Sequence, residues 1–386
     1  MKNFSFHNPN RIHFGQGQIA QIGTEIAAGS RVLLVYGGGS IKRNGVYDQV
    51  IAALAGRTVV EFAGVGANPE FDTLMRAVAL GKEKQVDWVL GVGGGSVLDG
   101  SKFIAAALAL DPAIDPWLIV GNKTPLHSAL PIGCVLTLPA TGSESNFTGV
   151  ITRRETQDKL SFKNPAVFPR FCVMDPTVIS SLPPRQLGNG LVDAFVHTTE
   201  QYLTFPQEAR VQDRLAEGIL STLTEVAPVL LKDQADYDAQ ANFMWSANQA
   251  MFGLVPLGQT LDWATHAIGH ELTVLYGLDH AQTLAVTLPS LWRYTFDAKR
   301  AKLAQYGRRV WNLNGDDEAV AHAAIDATRA YFESVGVKTR LTDYGIDAEA
   351  AAAGVEAQLI RHKRIALGEH ADLTPADCRA IVLGAA

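Results

Sequence analysis

"VLGVGGGSVLDG" (residues 89–100) changes character within a few residues. Its first part belongs to "VDWVLGV" (86–92), an apolar run of the kind that fills a buried strand. Its end opens "SVLDGSKFIAAALAL" (96–110), which has the spacing of a helix. Glycines stand directly between the two. A glycine-rich turn lets the backbone approach a phosphate closely, and a helix start offers unpaired N–H groups with a partial positive charge. Gly91 and Gly93 match the first two glycines of G-x-G-x-x-G and Ser96 takes the place of the third. The strand-loop-helix context therefore carries the pyrophosphate reading more than the motif does, against the alternative of a tight structural turn.

Outward from this point the pattern repeats. "RVLLVY" (31–36) reads as a buried strand and "GVYDQVIAALAG" (45–56) as a helix closed by glycine. "TVVEFAGV" (58–65) is a strand and "PEFDTLMRAVALGKEKQ" (69–85) a helix, while "ALPIGCVLTLPA" (129–140) and "PRFCVMDP" (169–176) are further strands. Alternation with such short connections predicts an α/β domain with a parallel sheet covered by helices on both faces, a Rossmann-like dinucleotide-binding domain over residues 1–181. Strand signals then fade. Pro183 and Pro184 suit a helix start, and alanine- and leucine-rich helical segments run to the C-terminus, predicting an all-α domain over residues 182–386. A length of 386 residues accommodates two such domains.

Composition excludes several classes of partner. Hydrophobic residues are 47% and charged residues 19%, and the net charge of -6 is spread without a basic stripe or a polybasic patch. Nucleic acid and membrane surfaces are not expected partners, and a small molecule is. The N-terminal "MKNFSFHNPNRIHFG" lacks the continuous apolar stretch of a secretory signal, and no apolar run approaches the roughly 18 residues of a membrane span. A soluble cytoplasmic protein is expected. Cys134, Cys172 and Cys378, odd in number and far apart in the sequence, argue against a disulfide framework and against a zinc-thiolate site.

Two more loops bear on the cofactor. "VYGGGSIKRNG" (35–45) ends a strand where dinucleotide folds usually place an acidic residue for the adenosine ribose. Gly37 to Gly39, Ser40, Lys42 and Arg43 stand there instead, which points to NADP(H), although a glycine turn with solvated basic residues has a structural reading too. "TLPATGSESN" (137–146) is dense in small hydroxyl residues. These suit a ribose or a nicotinamide amide, or simply their own turns.

Three of the ten histidines fall within "DWATHAIGHELTVLYGLDHAQT" (262–283), among residues that look like helix core. His266 and His270 are four apart, as are Asp193 and His197 in "GLVDAFVHTTEQ", and residues so spaced share a helix face. Asp193, His197, His266 and His280 make a carboxylate with three imidazoles, a ligand set for divalent zinc or iron with a position left for substrate. Each residue alone also reads as a buried hydrogen-bonding or capping group. His7, His13, His127, His322, His362 and His370 have no comparable setting and read as surface or structural residues. A pyrophosphate loop with a metal site suggests hydride transfer between a nicotinamide and a carbonyl polarised by the ion. His270 would then relay the proton to the alkoxide, or orient a ligand.

"GGGSVLDGSKF", "LPATGSESN", "DAFVHTTEQY" and "HAIGHELTVLYGLDHA" resemble the signature segments of the iron-containing (group III) alcohol dehydrogenase family. The resemblance implies an N-terminal dinucleotide-binding α/β domain and a C-terminal all-helical metal domain, the fold shared with dehydroquinate synthase. It implies metal ligands Asp193, His197, His266 and His280. It also implies cofactor contacts at Gly38, Gly39, Ser40, Gly94, Gly95, Ser96, Asp99, Thr137, Thr141, Ser143, Asn146 and Lys159, the last of which pattern alone reads as a solvated charge. Many relatives carry an aspartate at the end of the first strand that selects NAD; "YGGGS" stands here, as in a branch that uses NADPH and is associated with zinc. The expected activity is an NADPH-linked alcohol dehydrogenase or aldehyde reductase acting on short to medium aldehydes and their alcohols, with zinc favoured and iron as the alternative, in a homodimer. Phe147, Phe252, Leu254, Trp263 and Leu278 flank the metal segments or the hydroxyl loop and suit aliphatic substrates. The competing readings are a dehydroquinate synthase-like cyclase or a polyol phosphate dehydrogenase, which call for converging lysines and arginines that are sparse around the metal segments, and a metal- or nucleotide-binding protein without catalysis.

Overall fold

The computed structural model describes residues 1–386. The chain forms two compact units, one of His7–Leu182 and the other of Pro183–Ala386 joined by Met1–Phe6.

The first unit is built on six parallel strands: β1 (Arg11–Phe14), β2 (Arg31–Tyr36), β3 (Thr58–Phe62), β4 (Trp88–Gly94), β5 (Ile132–Leu138) and β8 (Phe171–Met174), in the order β1-β8-β5-β4-β2-β3. Helices α1 (Ile22–Glu25), α2 (Val46–Ala53), α3 (Phe71–Glu83) and α4 (Gly95–Ala109) lie in the connections. Val32 to Val35 in β2, and Val89, Leu90 and Val92 in β4, are fully buried. That is why these strands read as unbroken apolar runs instead of alternating ones. From β2 the chain moves outward to β3, then returns to the other side of β2 as β4 and continues to β5 and β8. The direction of winding therefore reverses between β2 and β4. In open α/β sheets the crevice at the carboxyl ends of such a strand pair is where ligands bind. Both glycine loops sit there, one after Tyr36 and one at Gly93 to Gly95.

A two-stranded antiparallel sheet, β6 (Thr148–Arg153) with β7 (Asp158–Lys163), stands apart from the six. Neither β1 nor this hairpin has the long apolar run by which the other strands are legible. Cys134 and Cys172, distant in sequence, are register partners on β5 and β8. Both are buried free thiols, and burial pushes Cys134 up to about 12.

The second unit is helical: α5 (Pro184–Tyr202), α6 (Arg210–Lys232), α7 (Tyr237–Met251), α8 (Ala264–Tyr276), α9 (His280–Tyr294), α10 (Phe296–Val310), α11 (Asp317–Ser334), α12 (Ala348–Arg361) and α13 (Pro375–Leu383). Helix α5 starts on Pro184 and is buried from Leu187 to Tyr202, polar residues included. Gly277 in the left-handed conformation ends α8, and the capping box of Asp279 and Gln282 starts α9, so the tight link 277–279 turns the chain from one to the other. The first six residues pack with this unit, unlike the division at 1–181 expected above. Lys2 N–H donates to Gly258 O at 2.8 Å, the Met1 amino group to Gln207 O at 3.2 Å, and Phe6 lies against Phe252.

Candidate metal centre and dinucleotide loops

Helix α5 carries Asp193 and His197 on one face, α8 presents His266 in its first turn, and α9 begins with His280. One donor atom from each of the four lies within 4.8 Å of all the others. Oδ1 of Asp193 is 3.5 Å from His197 Nδ1 and 3.7 Å from His280 Nε2. The His197 and His266 rings are stacked with centroids 4.6 Å apart, and His280 stands 5.0 Å from His266. Asp193, His197 and His266 are buried and His280 is half-buried.

Two features fit this cluster to a cation. Asp193 Oδ1 and His197 Nδ1 are buried without a hydrogen-bond partner, an expensive arrangement unless something positive satisfies the carboxylate. Burial also lowers the His197 pKa, favouring the neutral imidazole that a metal requires.

Glu200 completes the arrangement and was not among the sequence candidates. Its Oε1 accepts the Thr265 N–H at 2.7 Å and the His266 N–H at 3.3 Å, and its Oε2 meets His266 Nδ1. This leaves Nε2 as the atom His266 offers to an ion. Burial, then the charge of Asp262, push the Glu200 carboxyl up to about 8. The signal was present: 193, 197 and 200 follow the i, i+4, i+7 spacing of one helix face. His270 lies beside the cluster, its ring 5.4 Å from His280 and 6.3 Å from His266, and is not one of the four convergent donors.

In the α/β unit, α4 begins on Gly95 at the end of β4. A Cβ at Gly95 would come 2.5 Å from the Thr141 side chain, so glycine is what allows the hydroxyl loop to close on the helix start. Gly91 and Gly93, which matched the motif, serve a different end: a Cβ there would strike Ser101 or Val97 of α4, so they permit strand and helix to pack. Gly39 is left-handed, with φ of 86°, and a Cβ on Gly38 would meet nothing within 4 Å. Ser40 follows at the start of a short 3-10 turn, and Ser96 Oγ accepts the Asn68 N–H.

Several expected cofactor contacts are tied to one another. Asp99 accepts from Ser143 Oγ at 2.6 Å and from Val150 N–H at 2.9 Å, and burial raises its pKa. Lys102, fully buried on α4, donates to Ser143 Oγ and Asn146 Oδ1, both at 2.9 Å, and to Thr148 O at 2.7 Å. One ammonium thus spends its three protons on the 143–148 segment. Thr137 and Thr141 are half-buried beside it, and Thr141 Oγ1 accepts the Ser143 N–H. Lys159 on β7 is buried, contrary to its solvated appearance in sequence.

The end of β2 carries no acidic residue of its own, but Glu61 of the neighbouring β3 reaches it. Glu61 accepts from Tyr36 OH at 2.7 Å, Tyr47 OH at 2.5 Å and Lys42 Nζ at 3.1 Å. The Tyr47 bond leads the contacts that hold its carboxyl below the ordinary range. Lys42, one of the two basic residues noted at this strand end, is engaged with Glu61, and Arg43 is exposed.

Comparison with known proteins agrees with these two halves. The iron-containing alcohol dehydrogenase model matches residues 9–176, and the C-terminal model of the Fe-containing alcohol dehydrogenase family matches residues 189–385. The chain belongs to the iron-containing alcohol dehydrogenase family. It is 54% identical over 377 residues to the NADPH-dependent aldehyde reductase YqhD of Escherichia coli K12, covering 97% of each chain. It is 41% identical to the probable NADH-dependent butanol dehydrogenase 1 of Bacillus subtilis, over 90% of this chain and 91% of the other. The crystal structure of E. coli YqhD superposes with a TM-score of 0.98 at 52% identity, covering 100% of this chain and 99% of that one.

Proposed function

We propose that this protein is a metal-dependent, NADPH-linked aldehyde reductase that converts short to medium aldehydes to primary alcohols. The single observation that carries the reading is the convergence of Asp193, His197, His266 and His280, with buried Asp193 Oδ1 and His197 Nδ1 lacking hydrogen-bond partners. These four would hold one divalent ion, zinc in preference to iron. When bound, that ion supplies Lewis-acid polarisation of a carbonyl, and the reduced nicotinamide supplies hydride.

The remaining roles fall to the chain itself. Glu200 fixes the His266 ring so that Nε2 faces the other donors. His270, outside the donor set but within a ring's width of it, donates the proton to the product oxygen. Gly94, Gly95 and Ser96 cradle the diphosphate, and Gly38, Gly39 and Ser40 receive the 2'-phosphate where no uncompensated carboxylate opposes it. Thr137, Thr141, Ser143, Asn146, Asp99 and Lys159 line the remainder of the dinucleotide site, with Lys102 fixing Ser143 and Asn146 in place.

An uncharged substrate suits the two cations tied to residues next to the metal segments, which are already committed: Arg185 pairs with Asp279, and Lys299 with Asp262 and Glu369. A phosphorylated or polycarboxylated substrate would need such groups available, which weighs against the cyclase and polyol phosphate readings. Three buried free thiols support a reducing, cytoplasmic setting, and the resemblance to the family supports a homodimer. No helix is long and apolar enough to cross a membrane.

The test is absorbance at 340 nm with butanal, comparing NADPH with NADH, before and after chelation and after readdition of zinc or iron. Loss of NADPH but not NADH, abolished by chelation and restored by one metal, is the expected result. Protein of confirmed metal content that consumes neither cofactor would overturn the reading.

A further inference from the structure

Nine non-glycine residues have positive φ, and Trp263 is the only aromatic among them, with φ of 64° and ψ of 9° at the residue before α8. A bulky side chain resists this region, and such outliers persist only where their surroundings enforce them. The flanking bonds do so. Asp262 N–H donates to Glu200 O at 3.0 Å, Asp262 Oδ1 accepts the Ala264 N–H at 3.0 Å, and Asp262 Oδ2 is 2.9 Å from the fully buried Lys299 Nζ. Trp263 O in turn accepts the Ala267 N–H, the first bond of the helix.

The strain decides where the indole lies. Its ring stands edge-on to His266, with centroids 5.2 Å apart and planes at 73°, and to His197 at 6.2 Å and 63°. The residue is only half-buried, so the ring covers two of the four donors without being enclosed itself. Neither histidine needs this contact for its position, since Glu200 holds His266 and α5 carries His197. Glycine or asparagine would have met the same backbone at less cost, and neither would have put a ring there.

We propose that Trp263 is a specificity-determining residue: its indole forms the wall of the carbonyl subsite and limits the bulk that an aldehyde can carry next to its reacting carbon. Unbranched aliphatic aldehydes pass this wall more readily than α-branched or aromatic ones. The inference rests on the aldehyde-reductase reading above and adds the residue that sets its substrate range.

The experiment compares butanal with 2-methylpropanal and benzaldehyde in wild type, Trp263→Gly and Trp263→Phe, each with metal content and melting temperature measured. Trp263→Gly is expected to keep its metal and melt no lower than wild type, because the left-handed strain is relieved. Its kcat/KM for the bulky aldehydes relative to butanal should rise roughly tenfold or more, the size of effect that pocket volume commonly commands. Trp263→Phe should stay within about twofold of wild type. If Trp263→Gly is insoluble, Trp263→Asn, which also tolerates this backbone, makes the same comparison. An unmoved ratio in a metal-loaded glycine or asparagine variant overturns the proposal, as does loss of metal, which would make the indole a brace for the ligands. Failure of metal-loaded wild type to reduce any of the three aldehydes overturns the functional reading, and the inference with it.

Discussion

Glu200 and His266 are joined twice: the Glu200 carboxylate receives the His266 backbone N–H at 3.3 Å with one oxygen and meets its ring Nδ1 with the other. Backbone and side chain of the same residue are thus oriented by one buried group. Glu200→Gln keeps the shape and one acceptor but sets an amide N–H2 against the imidazole Nδ1 where an oxygen stood, which disturbs the ring's orientation. Metal affinity should fall about 10- to 100-fold, measured by competition with a chelator. Unchanged affinity would mean that the pair serves folding only.

His266→Ala should abolish metal retention and aldehyde turnover while NADPH affinity, read by fluorescence, stays within about threefold of wild type, because the glycine loops belong to the other unit. Joint loss of metal and NADPH binding would show that the two sites are not independent.

Gly38 offers a substitution without steric cost, since a Cβ there meets nothing and its φ is not left-handed. Gly38→Asp should move the preference from NADPH toward NADH by at least about tenfold in the ratio of kcat/KM, through repulsion of the 2'-phosphate. A ratio that does not move would remove the end of β2 from the specificity argument.

Lys42 and Glu61 separate two readings of the same lysine. If Lys42 acts by covering the Glu61 charge, Lys42→Ala should weaken NADPH more than NADH, and adding Glu61→Gln should recover most of the loss. Both side chains are well exposed, so the effect should be modest and fade with salt. A double variant as weak as Lys42→Ala would assign Lys42 directly to the phosphate.

Lys299→Met strips the partner from two buried carboxylates, Asp262 and Glu369, and should cost about 3–5 kcal/mol of unfolding free energy. Burial lowers the Lys299 pKa, but Asp262 and Glu369 together raise it above the ordinary 10.5. A raised lysine contributes fully below its unfolded pKa and loses that contribution as pH climbs through the folded value. The wild-type advantage should therefore be level from pH 6 to 10 and shrink only above about 10.5. A decline beginning near neutrality would implicate another group.

The parallel strands were legible because burial on both faces writes an unbroken apolar run, as in "RVLLVY" and "VDWVLGV". The glycine loops were legible because only glycine tolerates what happens at Gly39 and Gly95. The metal cluster was legible because histidines are few and stood at helical spacing. The hairpin of β6 and β7 escaped notice, since short strands with polar alternation look like loop. Glu200, Lys102 and Lys299 escaped for one shared reason: a buried charge with its partners and a solvated charge are the same letter in a sequence. Only the fold supplies the neighbours, such as Ser143 and Asn146 around Lys102, that tell them apart.

The packing of Met1 to Phe6 against Gln207, Phe252 and Gly258 also bears on how the chain assembles on the ribosome. Residues 1–6 have their partners about two hundred residues downstream, and the whole α/β unit lies between in the sequence. That unit can close on its own contacts while the helical segments are still being translated, since domains generally fold as units during synthesis. The hexapeptide 1–6 must stay uncommitted until then, and it docks only when the loop after α7 has emerged.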